Sequence, residues 1–192
     1  MSPSHKTAPR RPKGTAKLGP KPAPKRKRTA AVKVRAAFDA ILANLLDEID
    51  ACRTTLRLDD AALGFSVADV AGEAHLPSEK SLRGQTSINQ RAAATAQWIE
   101  QHRRLLIQND FTVSALRPPE ALLQLYCVKA QMLAPVIREG RLDGWVSVHE
   151  TRRARKWSKK EQAATIAAAK QVLKALEADC LDNPSAKSPH RR

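Results

Sequence analysis

Cysteine and histidine would carry the most specific chemistry in this chain of 192 residues. Its three cysteines, Cys52, Cys127 and Cys180, fall in a predicted strand, at the end of a predicted helix and within another helix. Their spacing supports neither a disulfide framework nor a redox pair. The histidines also lie at no metal-ligand spacing from one another or from the cysteines: His5, His75, His102, His149 and His190. We therefore expect no metal site and no catalytic residue.

Three polar residues near the start of a predicted helix offer groups that could bind an anion. The guanidinium of Arg83 can hold a carboxylate or a phosphate through two hydrogen bonds. Ser87 and Asn89 stand near the beginning of a helix predicted for residues 88–104, where backbone N–H groups favour negative charge. A purely structural interpretation also exists, with Arg83 as a solvated loop residue and Ser87 as a helix cap.

The net charge of +15 is concentrated at the chain ends. Residues 1–29 hold ten lysines and arginines and no acid, whereas residues 30–182 hold 21 basic and 19 acidic residues. Because residues 1–30 are rich in proline and poor in large apolar side chains, we predict that they are disordered, like residues 182–192. The four cations Lys25, Arg26, Lys27 and Arg28 would attract nucleic acid without reading its sequence, or would only keep the chain soluble.

Targeting signals are scarce. The chain has no run of 18 apolar residues, which excludes a membrane-spanning helix, and its basic tail lacks the apolar core of a secretory signal. We therefore expect a cytoplasmic protein that does not bind membranes. In a eukaryote the basic cluster at residues 25–28 would also suit nuclear import.

Apolar periodicity predicts the elements that position these residues. Apolar residues at three- and four-residue steps over residues 34–49 predict a first helix. Alternation over residues 52–59 predicts a strand with Arg53, Arg57 and Asp59 on a solvated side. Residues 65–71 are a shorter strand candidate, and residues 72–87 are predicted to form a loop.

The second half of the chain gives stronger signals. After the helix at 88–104, a short strand is predicted at 105–108, and a helix opened by Pro118 and Pro119 runs to Tyr126. Two strands at 131–137 and 142–149 are joined by a turn that contains Gly140. Ser158 and Glu161 form a capping box for a last helix. Its predicted core face consists of Ile166, Ala169, Val172, Leu173, Leu176 and Cys180. Adjacent strands between helices indicate an α+β fold with an antiparallel sheet.

Residues 130–149, with the sequence AQMLAPVIREGRLDGWVSVH, resemble the GAF domain, a small sensory fold. The likeness consists of an apolar-Pro-apolar strand end, a charged turn with glycine, and a strand of the type Leu-x-Gly-x-apolar-Ser-apolar-His. LRGQTS at 82–87 is similar to the loop before the family's ligand-side helix, and RARKW at 153–157 is similar to its ending. The resemblance implies a single GAF-like domain over residues 31–181, in which helices flank a central antiparallel sheet.

The family resemblance also implies a ligand pocket on one face of the sheet. Members bind cyclic nucleotides, tetrapyrroles and small metabolites, and they commonly dimerise through their terminal helices. The implied pocket places Arg83, Ser87 and Asn89 on one wall. Tyr126, Ser147 and His149 lie on the opposite wall, although each of them also suits a structural role.

This chain lacks the residues that two known chemistries of the family require. In the phytochrome-like members a bilin is attached through a cysteine, and the matching position in this chain is Pro118, followed by Pro119 where a histidine would stand. The methionine-sulfoxide reductases of the family need cysteines around the loop that contains Gly84 and Thr86, which has none. We therefore expect no covalent bilin. We also expect a non-catalytic function, to which a thiol-based reductase would be the exception.

The resemblance thus predicts a stand-alone sensory domain that binds an unidentified small molecule and acts through self-association, as a homodimer, or through a partner. The alternative is a nucleic-acid-associated protein that uses its basic tail. A second basic run over residues 152–160 surrounds Trp157, which would suit nucleic acid if that ring were exposed. Core packing of Trp157 at the start of the last helix is the interpretation we favour.

Overall fold

The computed structural model of the protein describes residues 25–117 and 120–182. The elements in chain order are α1 (Lys25–Ile49), β1 (Arg53–Leu58), β2 (Gly72–His75), α2 (Ala94–His102), β3 (Leu106–Gln108), α3 (Glu120–Tyr126), β4 (Ala130–Arg138), β5 (Arg141–Glu150) and α4 (Lys159–Asp182). The strands form one five-stranded sheet in the order β2-β1-β5-β4-β3, and every pair is antiparallel. This confirms the predicted α+β fold with a central antiparallel sheet. None of the helices described is long and apolar enough to cross a membrane.

The centre of the sheet is the β4–β5 hairpin, which the sequence predicted within two residues at each end. Its turn places Glu139 and Gly140 at φ angles of 48° and 73°. Two successive left-handed residues match the twist of a tight hairpin, and glycine adopts that conformation without strain. On its other side, β5 pairs with the whole of β1, so that Arg57 lies opposite Trp145 and Thr55 lies opposite Ser147.

Successive side chains of the sheet point into two different layers. Leu56, Met132 and Val146 belong to a core formed with α1 and α4. Leu133, Leu142 and Trp145 belong to a second core on the opposite face, formed with α2, α3 and the segments around them. The sheet is therefore covered on both sides, and the candidate site lies in the second layer.

This second layer corrects the predicted strand at residues 52–59. Arg53 and Arg57 are only 2% and 3% exposed, and Asp59 is half-buried, so these residues do not face solvent. Alternation of apolar and charged residues shows which residues share a face, but a loop layer that comes later in the chain decides whether the charged face meets water. The prediction that these three residues share one face of the strand was correct. The prediction that this face is solvated was wrong.

Several element boundaries also differ from the sequence prediction. The strand candidate at 65–71 contributes only a bridge between Phe65 and Asp60, and the second strand lies at Gly72–His75, inside the predicted loop. The helix predicted from residue 88 begins at Ala94. Asn89 instead caps a short 3-10 turn by accepting a hydrogen bond from the backbone N–H of Ala92 at 3.3 Å.

The first helix begins at Lys25, so residues 25–30, which the composition assigned to a disordered tail, are helical. The last proline of the tail is Pro24, and the residues after it are compatible with a helix. The helix α4 likewise extends to Asp182. The remaining residues predicted to be disordered, 1–24 and 183–192, lie outside the described residues.

The last helix begins as the sequence predicts. The N–H of Ser158 donates to a carboxylate oxygen of Glu161 at 2.6 Å, and the N–H of Glu161 donates to Oγ of Ser158 at 3.3 Å. Trp157 is buried, as expected. Ile166 was wrongly placed in the core: it is 40% exposed, and Thr165 is buried in its stead. The buried apolar residues of α4 include Ala168, Ala169, Val172 and Leu176, and the helix packs against α1 and β4.

Candidate functional site

A cavity lies between the second face of the sheet and the layer that contains α2 and α3. The space open to the centres of water molecules is about 40 Å³. Aromatic and aliphatic side chains, Phe111, Leu133 and Trp145 among them, form part of its wall. The polar side chains that line it come from β1, β4, β5, α2, α3 and the 3-10 turn: Arg57, Gln90, Thr95, Tyr126, Gln131, Ser147 and His149. Among the described residues, no Asp or Glu lines this cavity.

The hydroxyl of Tyr126 joins three parts of this wall. Arg57 Nη2 donates to it at 2.7 Å, and Gln90 Nε2 donates to it at 3.0 Å. Because the oxygen accepts two hydrogen bonds, its own hydrogen remains free to donate to a molecule in the cavity. The side chain of Tyr126 is thus oriented by β1 and by the 3-10 turn.

His149 lies beside Tyr126, with ring centroids 5.7 Å apart, and it is 3% exposed. Within the described residues, its Nδ1 is buried without a hydrogen-bond partner. Burial, followed by the charges of Arg53 and Arg57, lowers its pKa well below the ordinary value of 6.5. The ring is therefore neutral near pH 7, with one nitrogen that donates and one that accepts.

The two buried arginines of β1 have different partners. Arg53 Nη2 forms an ion pair with Glu79 at 2.7 Å and also donates to the carbonyl of Lys80 at 3.2 Å. Arg57 Nη1 donates to the carbonyls of Val67 and Ala68 at 2.8 and 2.9 Å. Among the described residues, no carboxylate lies within ion-pair distance of Arg57.

The structure brings together three of the six predicted ligand-binding residues: Tyr126, Ser147 and His149 line the cavity. Ser87 and Asn89 line a separate groove on the surface, and Gln90 lies in the walls of both. Arg83 lines neither space. Its Nη2 is 2.5 Å from Oδ1 of Asp39 on α1.

Among the polar residues of the cavity, the sequence analysis did not identify Arg57, Gln90, Thr95 and Gln131. The spacing of Arg53 and Arg57 placed them on one face of β1, which was the available signal. That face was taken as solvated, so the arginines were not considered as ligand contacts. The assignment of a binding guanidinium to Arg83 instead followed its place in the loop before the helix.

Two members of the second basic run, Arg152 and Arg155, are engaged within the protein. Glu150 accepts hydrogen bonds from Cys52 at 3.0 Å and from Arg152 at 2.8 and 2.9 Å, and Arg155 lies 3.3 Å away. Burial would raise the pKa of Glu150, but the hydrogen bonds from Arg152 and Cys52 prevail and lower it to about 2. The buried Trp157 donates to a backbone carbonyl at 3.3 Å, so its ring is not presented for base stacking.

Comparisons with known proteins agree with this architecture. The family model described as "GAF domain" matches residues 34–176. The chain belongs to the GAF domain family. No curated protein matches it significantly. Among the described residues, no group of His, Cys, Asp or Glu in this GAF domain is arranged to hold a metal ion.

Similar solved structures share the fold. The GAF domain of PixJ from Thermosynechococcus elongatus, in its blue-light-absorbing form, is 18% identical, with a TM-score of 0.67 over 85% of this chain and 97% of that one. The red-light-absorbing state of the cyanobacteriochrome NpR6012g4 is 16% identical, with a TM-score of 0.64 over 79% and 98%. A type II free methionine-R-sulfoxide reductase from Thermoplasma acidophilum is 10% identical, with a TM-score of 0.57 over 78% and 96%.

Proposed function

We propose that this GAF domain is a non-catalytic signalling module that binds a small molecule in the cavity between the sheet and α2 and α3. The observation that carries the proposal is the polar wall of Tyr126, Ser147 and His149, in which the buried Nδ1 of His149 lacks a hydrogen-bond partner among the described residues. Buried polar groups of folded proteins almost always have hydrogen-bond partners. A ligand would supply the missing one.

The size of the cavity limits the ligand. About 40 Å³ accommodates roughly three water molecules, whereas sites for drug-sized molecules measure several hundred Å³. Four linked pyrrole rings are larger than this space, and the absence of a covalent bilin stays a prediction. Pro118, the position expected to carry the thiol, lies outside the described residues.

The thiols do not favour catalysis. Cys52 is fully buried, and its Sγ donates to Glu150 in the ionic cluster at the end of β5. Cys127 is exposed at the end of α3, and its Sγ is 3.4 Å from the carbonyl of Gln124. Neither cysteine lines the cavity. A reductase that works through thiols at this site is therefore not our proposal.

The strand β5 offers a route from the cavity to the terminal helices. Ser147 and His149 face the cavity, while the alternate residues Val146 and Val148 pack in the core with α1 and α4. A ligand that shifts β5 would therefore change the packing of these helices. The output would pass through self-association or a partner that contacts them.

The experiment is a titration of the protein with acetate, acetamide and methylammonium, followed through backbone amide resonances. We expect at least one of these probes to shift the resonances of Gln131 and Ser147 in a saturable way. Ser147→Leu should abolish the shifts because it fills the cavity, and Ala163→Leu on the exposed side of α4 should not. If no probe moves these resonances in the folded protein, the proposed ligand-binding function is wrong.

A second candidate function is supported by the charge distribution. Ten lysines and arginines without an acid lie in residues 1–29, and such a segment attracts polyanions through counterion release. Within the described residues, the run at 152–160 has Arg152 and Arg155 engaged with Glu150. Nucleic-acid attraction would therefore come from the N-terminal segment.

A further inference from the structure

We propose that the ligand of this cavity is a small carboxylate or oxyanion of about three or four non-hydrogen atoms, bound by Arg57. The proposal rests on the ligand-binding function proposed above and assigns its chemical class. It is carried by the cation in the wall, by the hydrogen-bond donors beside it and by the size of the space.

The charge of Arg57 is the first observation. The residue is 3% exposed and lines the cavity, and no carboxylate among the described residues pairs with it. Burial of a charge without an opposite charge is strongly unfavourable. Arg53, four residues earlier on the same face, has this requirement met by Glu79 at 2.7 Å. An anion in the cavity would neutralise the charge of Arg57 as Glu79 neutralises that of Arg53.

The hydrogen bonds of Arg57 leave part of its guanidinium available. Nη1 uses two hydrogens on the carbonyls of Val67 and Ala68, and Nη2 uses one on the hydroxyl of Tyr126. A guanidinium has five N–H groups, so two of them have no acceptor within the described residues. Paired N–H groups of this kind match the two oxygens of a carboxylate.

The neighbouring groups suit the same ligand. The hydroxyl of Tyr126 accepts from Arg57 and Gln90, so its own hydrogen can donate to an anion. His149 has a buried Nδ1 without a partner, and in the tautomer protonated there it would donate as well. Ser147 adds a hydroxyl to the same wall. Among the described residues that line the cavity, none is acidic, so no carboxylate there repels an anion.

The size of the cavity sets the upper limit for the ligand. A space of about 40 Å³ holds roughly three water molecules, which corresponds to an anion such as formate, nitrate or acetate. A nucleotide or a dicarboxylate with an extended chain does not fit. Phe111, Leu133 and Trp145 add apolar surface to the same cavity, which suits the methyl group of acetate.

The test measures binding of sodium formate, nitrate and acetate, with formamide and acetamide as neutral probes of the same size. The backbone amide resonance of Ser147 and the indole N–H resonance of Trp145 would report the cavity. We expect the anions to bind and the neutral probes to bind about tenfold more weakly or worse. Arg57→Gln should weaken anion binding by about tenfold or more. The matched control Arg83→Gln removes a surface arginine and should leave it unchanged.

The outcomes separate the two proposals. If acetamide or methylammonium binds in the cavity and the anions do not, the ligand class is wrong and the ligand-binding function stands. If no probe binds, both are wrong. Equal anion affinity in folded Arg57→Gln and in the unchanged protein also overturns the role of Arg57.

A second measurement does not depend on the folding of an Arg57 variant. At equal ionic strength, nitrate or formate should raise the thermal unfolding midpoint relative to chloride, because a ligand that binds only the folded chain stabilises it. Ser147→Leu should remove this anion-specific increase. An increase that persists in that variant would arise elsewhere and would count against the cavity.

Discussion

His149 is a titratable residue held neutral in the second layer of the fold. It faces Arg53 and Arg57 from β1 and Tyr126 from α3. Its pKa is well below 6.5 in the folded chain and returns to about 6.5 in the unfolded chain. Between these two values the unfolded chain binds a proton that the folded chain does not. The free energy of unfolding must therefore fall as the pH drops below about 6.5.

We predict that this fall approaches about 1.4 kcal/mol per pH unit and that His149→Gln removes it. Urea unfolding between about pH 7 and about pH 5 would measure it. The carboxylates of Glu150 and Glu161 have lowered pKa values and affect stability only at more acidic pH. As a control, His102→Gln changes an exposed histidine and should leave the slope intact. A slope that survives His149→Gln would contradict the assignment.

Gly144 is a position where the absence of a side chain allows two strands to pack closely. A Cβ atom there would lie 2.0 Å from the backbone oxygen of Arg57 on the neighbouring strand. We predict that Gly144→Ala forces β1 and β5 apart and destabilises the protein by about 3 kcal/mol. Ser147→Ala in the same strand creates no such clash. Comparable unfolding midpoints in denaturant for the two variants would refute the prediction.

At the scale of elements, α4 owes its sharp start to Ser158 and Glu161. Each satisfies the backbone N–H of the other, and Trp157 before them is buried under the sheet. Loss of a capping hydroxyl leaves an N–H of the first turn without its acceptor. The cap therefore fixes the residue at which α4 begins after β5.

We predict that Ser158→Ala lowers the free energy of unfolding by about 1 kcal/mol. Lys159→Ala, one residue further and exposed, should change it by no more than a few tenths. Denaturant titrations of both variants give the comparison. If the Ser158→Ala protein is as stable as the unchanged protein, the two hydrogen bonds do not stabilise the start of the helix.

At the scale of the whole molecule, the basic N-terminal segment is expected to carry any nucleic-acid affinity. Because α1 begins at Lys25, a truncation at residue 24 removes six of the ten cations and leaves the helix intact. We predict that it reduces the slope of the logarithm of the DNA-binding constant against the logarithm of salt concentration. The reduction is about 0.7–0.9 for each phosphate contact that is lost. Fluorescence anisotropy at several salt concentrations would show it. Unchanged binding would direct attention to residues 152–160.

Dimerisation through the terminal helices is the other prediction at this scale. Leu42 and Leu46 on α1 and Ala169 on α4 are apolar, but they are buried within the chain. The apolar residues left exposed on α1 and α4 include Val32 and Ile166. We predict a dimer in sedimentation equilibrium that Ile166→Glu converts to folded monomers, whereas Lys170→Glu does not. A mass of about one chain, 21.1 kDa, for the unchanged protein would refute the dimer.

The sequence alone determined the elements that local patterns specify: the periodic helix α1, the hairpin around Gly140 and the capped helix α4. These depend on turn chemistry, capping and spacing within a few residues, so they are visible without the fold. It also placed Tyr126 and His149 in one pocket, through the family resemblance. Only the tertiary structure decided that Arg57 is buried, because the layer that covers it comes from segments distant in the chain. Long-range packing thus turned an apparently solvated arginine into the central cation of the candidate site.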